Sequence, residues 1–291
     1  LVAEGDRLAF STDSYVIDPL FFPGGNIGKL AICGTANDVA VSGAIPRYLS
    51  CGFILEEGLP METLKAVVTS MAETARAAGI AIVTGDTKVV QRGAVDKLFI
   101  NTAGMGAIPA NIHWGAQTLT AGDVLLVSGT LGDHGATILN LREQLGLDGE
   151  LVSDCAVLTP LIQTLRDIPG VKALRDATRG GVNAVVHEFA AACGCGIELS
   201  EAALPVKPAV RGVCELLGLD ALNFANEGKL VIAVERNAAE QVLAALHSHP
   251  LGKDAALIGE VVERKGVRLA GLYGVKRTLD LPHAEPLPRI C

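Results

Sequence analysis

The chain has 291 residues, 49% of them hydrophobic and 19% charged, with a formal net charge of -8. That length suits two domains, each large enough to bury a core, and the apolar fraction excludes a chain that stays disordered. The acidic balance excludes the basic face that nucleic acid or an anionic membrane would require.

No apolar run approaches the roughly 18 residues of a membrane helix, and no signal peptide is present. Seven cysteines at irregular spacing fit a reducing, cytoplasmic setting better than a disulfide framework. Aromatic residues are scarce at 4% while glycine numbers 33, which is the composition of packed α/β layers in which helices lie close on a sheet. The chain opens on Leu1 rather than methionine, and Glu4-Gly5-Asp6-Arg7 runs directly into a strand, so a segment is expected to precede it in the natural protein.

In chain order, Leu8 to Ile17 reads as a strand carrying Thr12, Asp13 and Ser14. A turn over Phe22-Pro23-Gly24-Gly25-Asn26 leads into helical spacing from Ile27 to Gly43, with Asn37 and Asp38 inside it. A strand at Tyr48 to Leu55 precedes an amphipathic helix that Pro60 opens and Gly79 closes. A buried strand from Ile80 to Thr84 is predicted to deliver Gly85-Asp86-Thr87-Lys88 as a loop, and Leu98 to Ile108 is a further strand. Pro109 to Thr120 has no sustained pattern and reads as a linker. The second half continues with a strand at Val124 to Ser128 and helices at Val157 to Ile168 and Val182 to Cys193. A strand at Leu230 to Glu235, a helix at Ala238 to His247, and strands at Ala256 to Glu263 and Val267 to Ala270 complete it.

Residues with chemistry gather at predicted strand ends. Asp13, Asp38 and Asp86 each neighbour glycine or a small polar residue, and three carboxylates brought together need a cation such as Mg²⁺, which prefers hard oxygen ligands. Taken singly, each reads better as a helix or turn cap. Lys88 offers a charge to a phosphate or stays a solvated lysine. In Asp176-Ala177-Thr178-Arg179-Gly180-Gly181 two glycines feed a helix N-terminus suited to an anion, with Thr178 and Arg179 as further donors. The terminal Pro286-Leu287-Pro288-Arg289-Ile290-Cys291 reads as an extended stalk that reaches outward with a thiol at its tip.

Thr12-Asp13, the run Phe22 to Lys29, Asn37-Asp38-Val39-Ala40, Gly85-Asp86-Thr87-Lys88-Val89, Asp176 to Gly181, Asn226-Glu227-Gly228 and Pro288-Arg289-Ile290-Cys291 together resemble the HypE family. These are [NiFe]-hydrogenase maturation proteins, the carbamoyl dehydratases, of the aminoimidazole ribonucleotide synthetase and selenophosphate synthetase superfamily. The resemblance spans essentially the whole chain. It implies an α/β (α+β) fold of two domains with mixed sheets covered by helices: residues 1–108 for ATP binding and dimerisation, 119–280 as a second α/β domain, and 281–291 as a flexible tail. A homodimer whose N-terminal sheets join into a barrel follows from it. So does ATP bound by Asp13, Asn37, Asp38, Gly85, Asp86, Thr87, Asp176, Thr178 and Arg179, with Mg²⁺ on Asp13, Asp38 and Asp86. The family's glycine-rich ATP-covering element is not in this sequence, and weaker nucleotide binding is expected.

The activity implied is ATP-dependent dehydration of a carbamoyl group on Cys291, placed there by a HypF-type carbamoyltransferase, to a thiocyanate. The cyano group then passes to iron on a HypC-HypD complex, and both handovers require the tail to leave the pocket, so two tail positions are expected, one tucked beside ATP and one swung out. For the dehydration Glu227, a carboxylate beside Gly228 at a strand start, is expected to be the general base, and Lys88 to polarise the carbamoyl oxygen or steady the phosphate. A small-molecule kinase on the same scaffold, or a non-catalytic carrier presenting Cys291, are the rival readings.

Overall fold

The computed structural model describes residues 7–147, 149, 151–282 and 288–291. Strand β1 (Arg7–Tyr15) is followed by a short hairpin of β2 (Phe21–Phe22) and β3 (Gly25–Asn26) that sets up helix α1 (Ile27–Val41). Asn26 starts the helix because its Oδ1 accepts from the N–H groups of Gly28 and Lys29 at 2.9 and 3.1 Å, satisfying two donors that have no partner inside the helix. α1 is buried almost all round, as its run of Ile, Leu, Ala, Cys and Gly requires.

β4 (Ile45–Glu56), α2 (Met61–Ala77), β5 (Ala81–Val90) and β6 (Leu98–Ile108) complete the first domain. α2 turns only Val67, Met71 and Ala75 fully inward, the single stripe expected of a helix lying on a surface. The four-stranded sheet has the order β1-β6-β4-β5, with β4 and β5 parallel and the other pairs antiparallel. Helices cover one face, while Phe10, Val83 and Val89 remain exposed.

Two expectations fail here. β5 is exposed along nearly its whole length rather than buried, because it forms the edge of the sheet. It also does not end at Thr84. Gly85-Asp86-Thr87-Lys88 continues the strand, paired with Cys51 to Ile54 of β4, so these residues form no loop.

The second domain contains β7 (Val124–Val127), α3 (Asp133–Glu143), α4 (Thr159–Gln163), β8 (Val171–Asp176), α5 (Gly181–Cys193), β9 (Gly196–Ser200) and α6 (Pro208–Leu217). After these come β10 (Leu230–Val234), α7 (Ala239–His247), β11 (Ala256–Val262), β12 (Gly266–Ala270) and β13 (Lys276–Thr278). The strands form one mixed sheet, β13-β12-β9-β11-β7-β10-β8, in which β12 and β9 run parallel. β7 and β10 are buried on both faces. Leu125, Val127, Val231 and Ala233 pack toward α5, and the alternate residues Val124, Leu126, Leu230, Ile232 and Val234 pack toward α4 and α7.

The helix predicted from Val157 to Ile168 shrinks to Thr159–Gln163. Beyond it the backbone tightens into turns, with Thr164 N–H donating to the Leu161 carbonyl and Leu165 N–H to the Ile162 carbonyl, and the Arg166 side chain donates from Nη2 to the Ala44 carbonyl at 2.8 Å. β8, β9, α6 and β13 had no reading in the sequence. Among the described residues, no helix is long and apolar enough to cross a membrane.

Candidate active site

A cavity of about 570 Å³ opens between the two domains. β1 brings Ser11, Thr12 and Asp13 to it, and α1 brings Gly34 and Asp38. The end of β8 and the turn after it supply Arg175, Asp176, Thr178 and Arg179, while α5 adds Glu188. Glu227, just ahead of β10, and the terminal Cys291 close it.

The turn after β8 lies along residues 226–229: Ala177 N–H donates to the Lys229 carbonyl at 3.0 Å, and Asn226 N–H to the Ala177 carbonyl at 2.9 Å. Gly180 and Gly181 take φ of +76° and +60°, a region that side chains disfavour, to turn the chain into α5. Glu227 is 2% exposed. Its backbone N–H donates to Asp154 Oδ1 at 3.1 Å, and Asp154 Oδ2 is 3.2 Å from Lys229 Nζ. The next residue must be glycine, since a Cβ on Gly228 would stand 1.9 Å from the Asp154 carbonyl oxygen.

Electrostatically the cavity is a crowd of carboxyl groups. Burial raises Asp13 and Asp38 above the usual carboxylate range, although the Ser14 N–H and the Ser11 hydroxyl, respectively, oppose it. The Ser11 hydroxyl donates to Asp38 Oδ2 at 2.8 Å. Burial, followed by the neighbouring Asp38, pushes Asp176 up to about 7. Glu227 rises well above its ordinary value through burial and then through Cys155, Asp154, Asp176 and Asp13. Asp176 Oδ2 and Glu227 Oε1 are buried without a hydrogen-bond partner among the described residues. Such an array accepts positive charge, either protons or a cation.

Cys291 is 6% exposed, with Arg179 Nη2 at 3.9 Å from its sulfur. Burial and then Glu227 push its thiol up to about 12. Ile290 and Cys291 are therefore folded inward, the tucked one of the two positions expected of the tail. Residues 283–287, which include Pro286 and Leu287, lie outside the described residues.

Of the residues singled out in the sequence, Asp13, Asp38, Asp176, Thr178, Arg179, Glu227 and Cys291 share this cavity. Thr12 lines it as well, whereas Asn37, Gly85, Asp86, Thr87 and Lys88 do not. Asn37 points the other way and ties down the second domain: Nδ2 donates to the Ala156 carbonyl at 3.0 Å and Oδ1 accepts from Leu158 N–H at 2.7 Å. Gly85, Asp86, Thr87 and Lys88 sit on β5, which β6 and β4 separate from β1. There Asp86 and Lys88 pair with each other at 3.3 Å, each about 70% exposed. The trio Asp13, Asp38 and Asp86 is thus not assembled within the chain. Among the described residues no group of three or more His, Cys, Asp or Glu side chains is arranged to hold a metal.

Arg175 and Glu188 went unrecognised. Arg175 adjoins Asp176 in the motif and was legible from that adjacency, whereas Glu188 reaches the cavity only because α5 turns it there. Asp154 and Lys229, the ion pair that supports Glu227, had no sequence signal.

Comparison with known proteins agrees with this arrangement. The model of the AIR synthase related protein N-terminal domain matches residues 1–108, and that of the C-terminal domain matches residues 120–271. Fold and cavity together define a two-domain AIR synthase related protein. Carbamoyl dehydratase HypE of Rhodobacter capsulatus is 50% identical over 294 residues, covering 100% of this chain and 86% of that protein. The crystal structure of E. coli HypE has a TM-score of 0.97 at 98% identity, covering 99% of this chain and 89% of that one. A HypE in complex with ATP has a TM-score of 0.95 at 46% identity, covering 100% and 89%, and a HypE-HypF complex 0.93 at 48%, covering 97% and 92%. The chain belongs to the HypE family of carbamoyl dehydratases, a family of enzymes.

Proposed function

We propose that this chain dehydrates a carbamoyl group carried on its own Cys291 to a thiocyanate, using ATP, to supply the cyanide ligand of [NiFe]-hydrogenase iron. The observation that carries the reading is the inward-folded terminal thiol: a group on the Cys291 sulfur occupies a cavity that also holds Glu227, Arg179 and Asp176. In balance, the carbamoyl oxygen attacks the γ-phosphorus of ATP and ADP departs. The carbamoyl nitrogen then gives up both protons, the C–O bond breaks to release phosphate, and a C≡N triple bond remains on sulfur.

Glu227 would accept an N–H proton; because burial raises its proton affinity, it must first give up the proton that it holds at rest, which a cation offsetting its neighbours' charge would favour. Arg179 and Arg175 offer donors for phosphate oxygens. Asp13 and Asp38, near enough that the charge on Asp13 raises Asp38, would hold Mg²⁺, which would neutralise phosphate charge during transfer.

A docked thiol pushed up to about 12 is not a nucleophile at neutral pH, so loading requires the tail to leave the pocket, where an ordinary thiol titrates near about 8.5. A HypF-type carbamoyltransferase would load it there, in keeping with the HypE-HypF complex of a relative. A HypC-HypD complex would receive the cyano group in the cytoplasm. In a homodimer the exposed β5 edge would be covered, and Gly85, Asp86, Thr87 and Lys88 would gain the ATP-site role that their own chain's cavity does not give them.

The test is intact-mass analysis after incubation with a carbamoyl-transfer system, with and without ATP. A carbamoyl adduct that becomes a cyano adduct only with ATP, and neither adduct in Cys291→Ala, is the expected result. An adduct persisting in Cys291→Ala would overturn the assignment.

A further inference from the structure

The last four residues join no sheet or helix, yet Ile290 is 2% exposed and packs into an apolar cluster drawn from both domains. Their carbonyls need donors from elsewhere. The main-chain oxygen of Cys291 accepts from Val16 N–H at 2.9 Å, and the Ile290 carbonyl from His134 Nε2 at 2.8 Å. The Arg289 carbonyl accepts from Asp18 N–H at 3.4 Å, and it and the Pro288 carbonyl also share one side chain. Arg142, in the last turn of α3, donates from Nη1 to the Pro288 carbonyl at 2.7 Å and from Nη2 to the Arg289 carbonyl. Its Nε donates to the Asp18 carbonyl at 2.6 Å, in the segment that follows β1. One planar guanidinium therefore ties the tail, the first domain and α3 together, a geometry that an ammonium group cannot copy.

The tail needs such a hold. Arg289 sits at φ +55°, where residues with a side chain seldom rest, so the turn at 288–289 persists only while outside contacts enforce it. Arg289 adds its own anchors, Nε to the Val16 carbonyl at 2.9 Å and Nη1 to Asp96 at 2.8 Å. These place the stalk but not the carbonyls that run toward the thiol.

We propose that Arg142 is a positioning residue that locks the tail in the cavity through the carbonyls of residues 288 and 289 and so sets the Cys291 sulfur beside Glu227. Because the lock reads backbone and not the sulfur, the same docking serves the free, carbamoylated and cyanated tail. Its catalytic consequence rests on the function proposed above. The docking itself does not.

The experiment is the initial rate of Cys291 alkylation by iodoacetamide at pH 8, read by peptide mass in wild type, Arg142→Ala and Arg142→Lys. Hydrogen bonds to a charged donor are strong enough that Arg142→Ala should label about tenfold to a hundredfold faster. Arg142→Lys should be intermediate. Buried Cys33, Cys51 and Cys155 should stay unlabelled in all three, as internal reporters of an intact fold. An unchanged Cys291 rate in Arg142→Ala overturns the proposal, as does a parallel rise at Cys33, Cys51 and Cys155 in both variants. Neither ATP nor a carbamoyl group is present, so a failure here is distinct from a failure of the dehydration chemistry.

Discussion

Asp176→Asn should stabilise the protein at neutral and alkaline pH. Asp176 ends β8, is 3% exposed, and has one carboxyl oxygen without a hydrogen-bond partner among the described residues. Burial and then Asp38 raise it from 3.8 to about 7. Between these two values the folded protein keeps a proton that the unfolded chain has lost, so wild-type stability falls as pH rises from about 4 to about 7 and levels off above. At about 1.4 kcal/mol per pH unit the difference amounts to at most about 4 kcal/mol. An asparagine carries no charge to desolvate and keeps the shape. Urea unfolding of wild type and variant, without divalent cations, should give curves that coincide near pH 4 and separate progressively up to pH 7, with the variant the more stable. A constant gap between pH 5 and pH 8, or a variant less stable than wild type at pH 8, would refute the electrostatic account of this cavity.

Glu227→Gln should load a carbamoyl group normally yet lose about 10² to 10⁴ in single-turnover dehydration; near-normal cyano formation would move the base elsewhere. Mg²⁺ at about 100 times its dissociation constant should stabilise wild type by about 2.7 kcal/mol, and Asp13→Asn or Asp38→Asn should lose that increment in a thermal shift measured without nucleotide. An undiminished shift in both variants would place the cation on other ligands.

Much of this protein was legible from local pattern alone. Asn26 ahead of an apolar run announced α1, Pro60 and Gly79 bracketed α2, and the alternating Leu98–Ile108 segment was a strand over its full predicted length, because caps and hydrophobic period act within a few residues. The motifs holding Asp13, Asp38, Asp176, Thr178, Arg179, Glu227 and Cys291 marked the cavity before any coordinates did. Side-chain direction was not legible. Asn37 and Asp38 are adjacent in one helix, yet one ties down the second domain and the other faces the cavity, since successive helical residues point about 100° apart. Sheet order decided that Asp86 and Lys88 lie on an exposed edge, away from the carboxylates they were grouped with, because strand pairing couples segments far apart in sequence. Only tertiary packing supplied the contacts that hold the tail inward. Arg142 is about 150 residues from the carbonyls that it holds, a separation no local pattern spans, and the burial that raises Glu227 and Cys291 exists only once both domains and the tail enclose them.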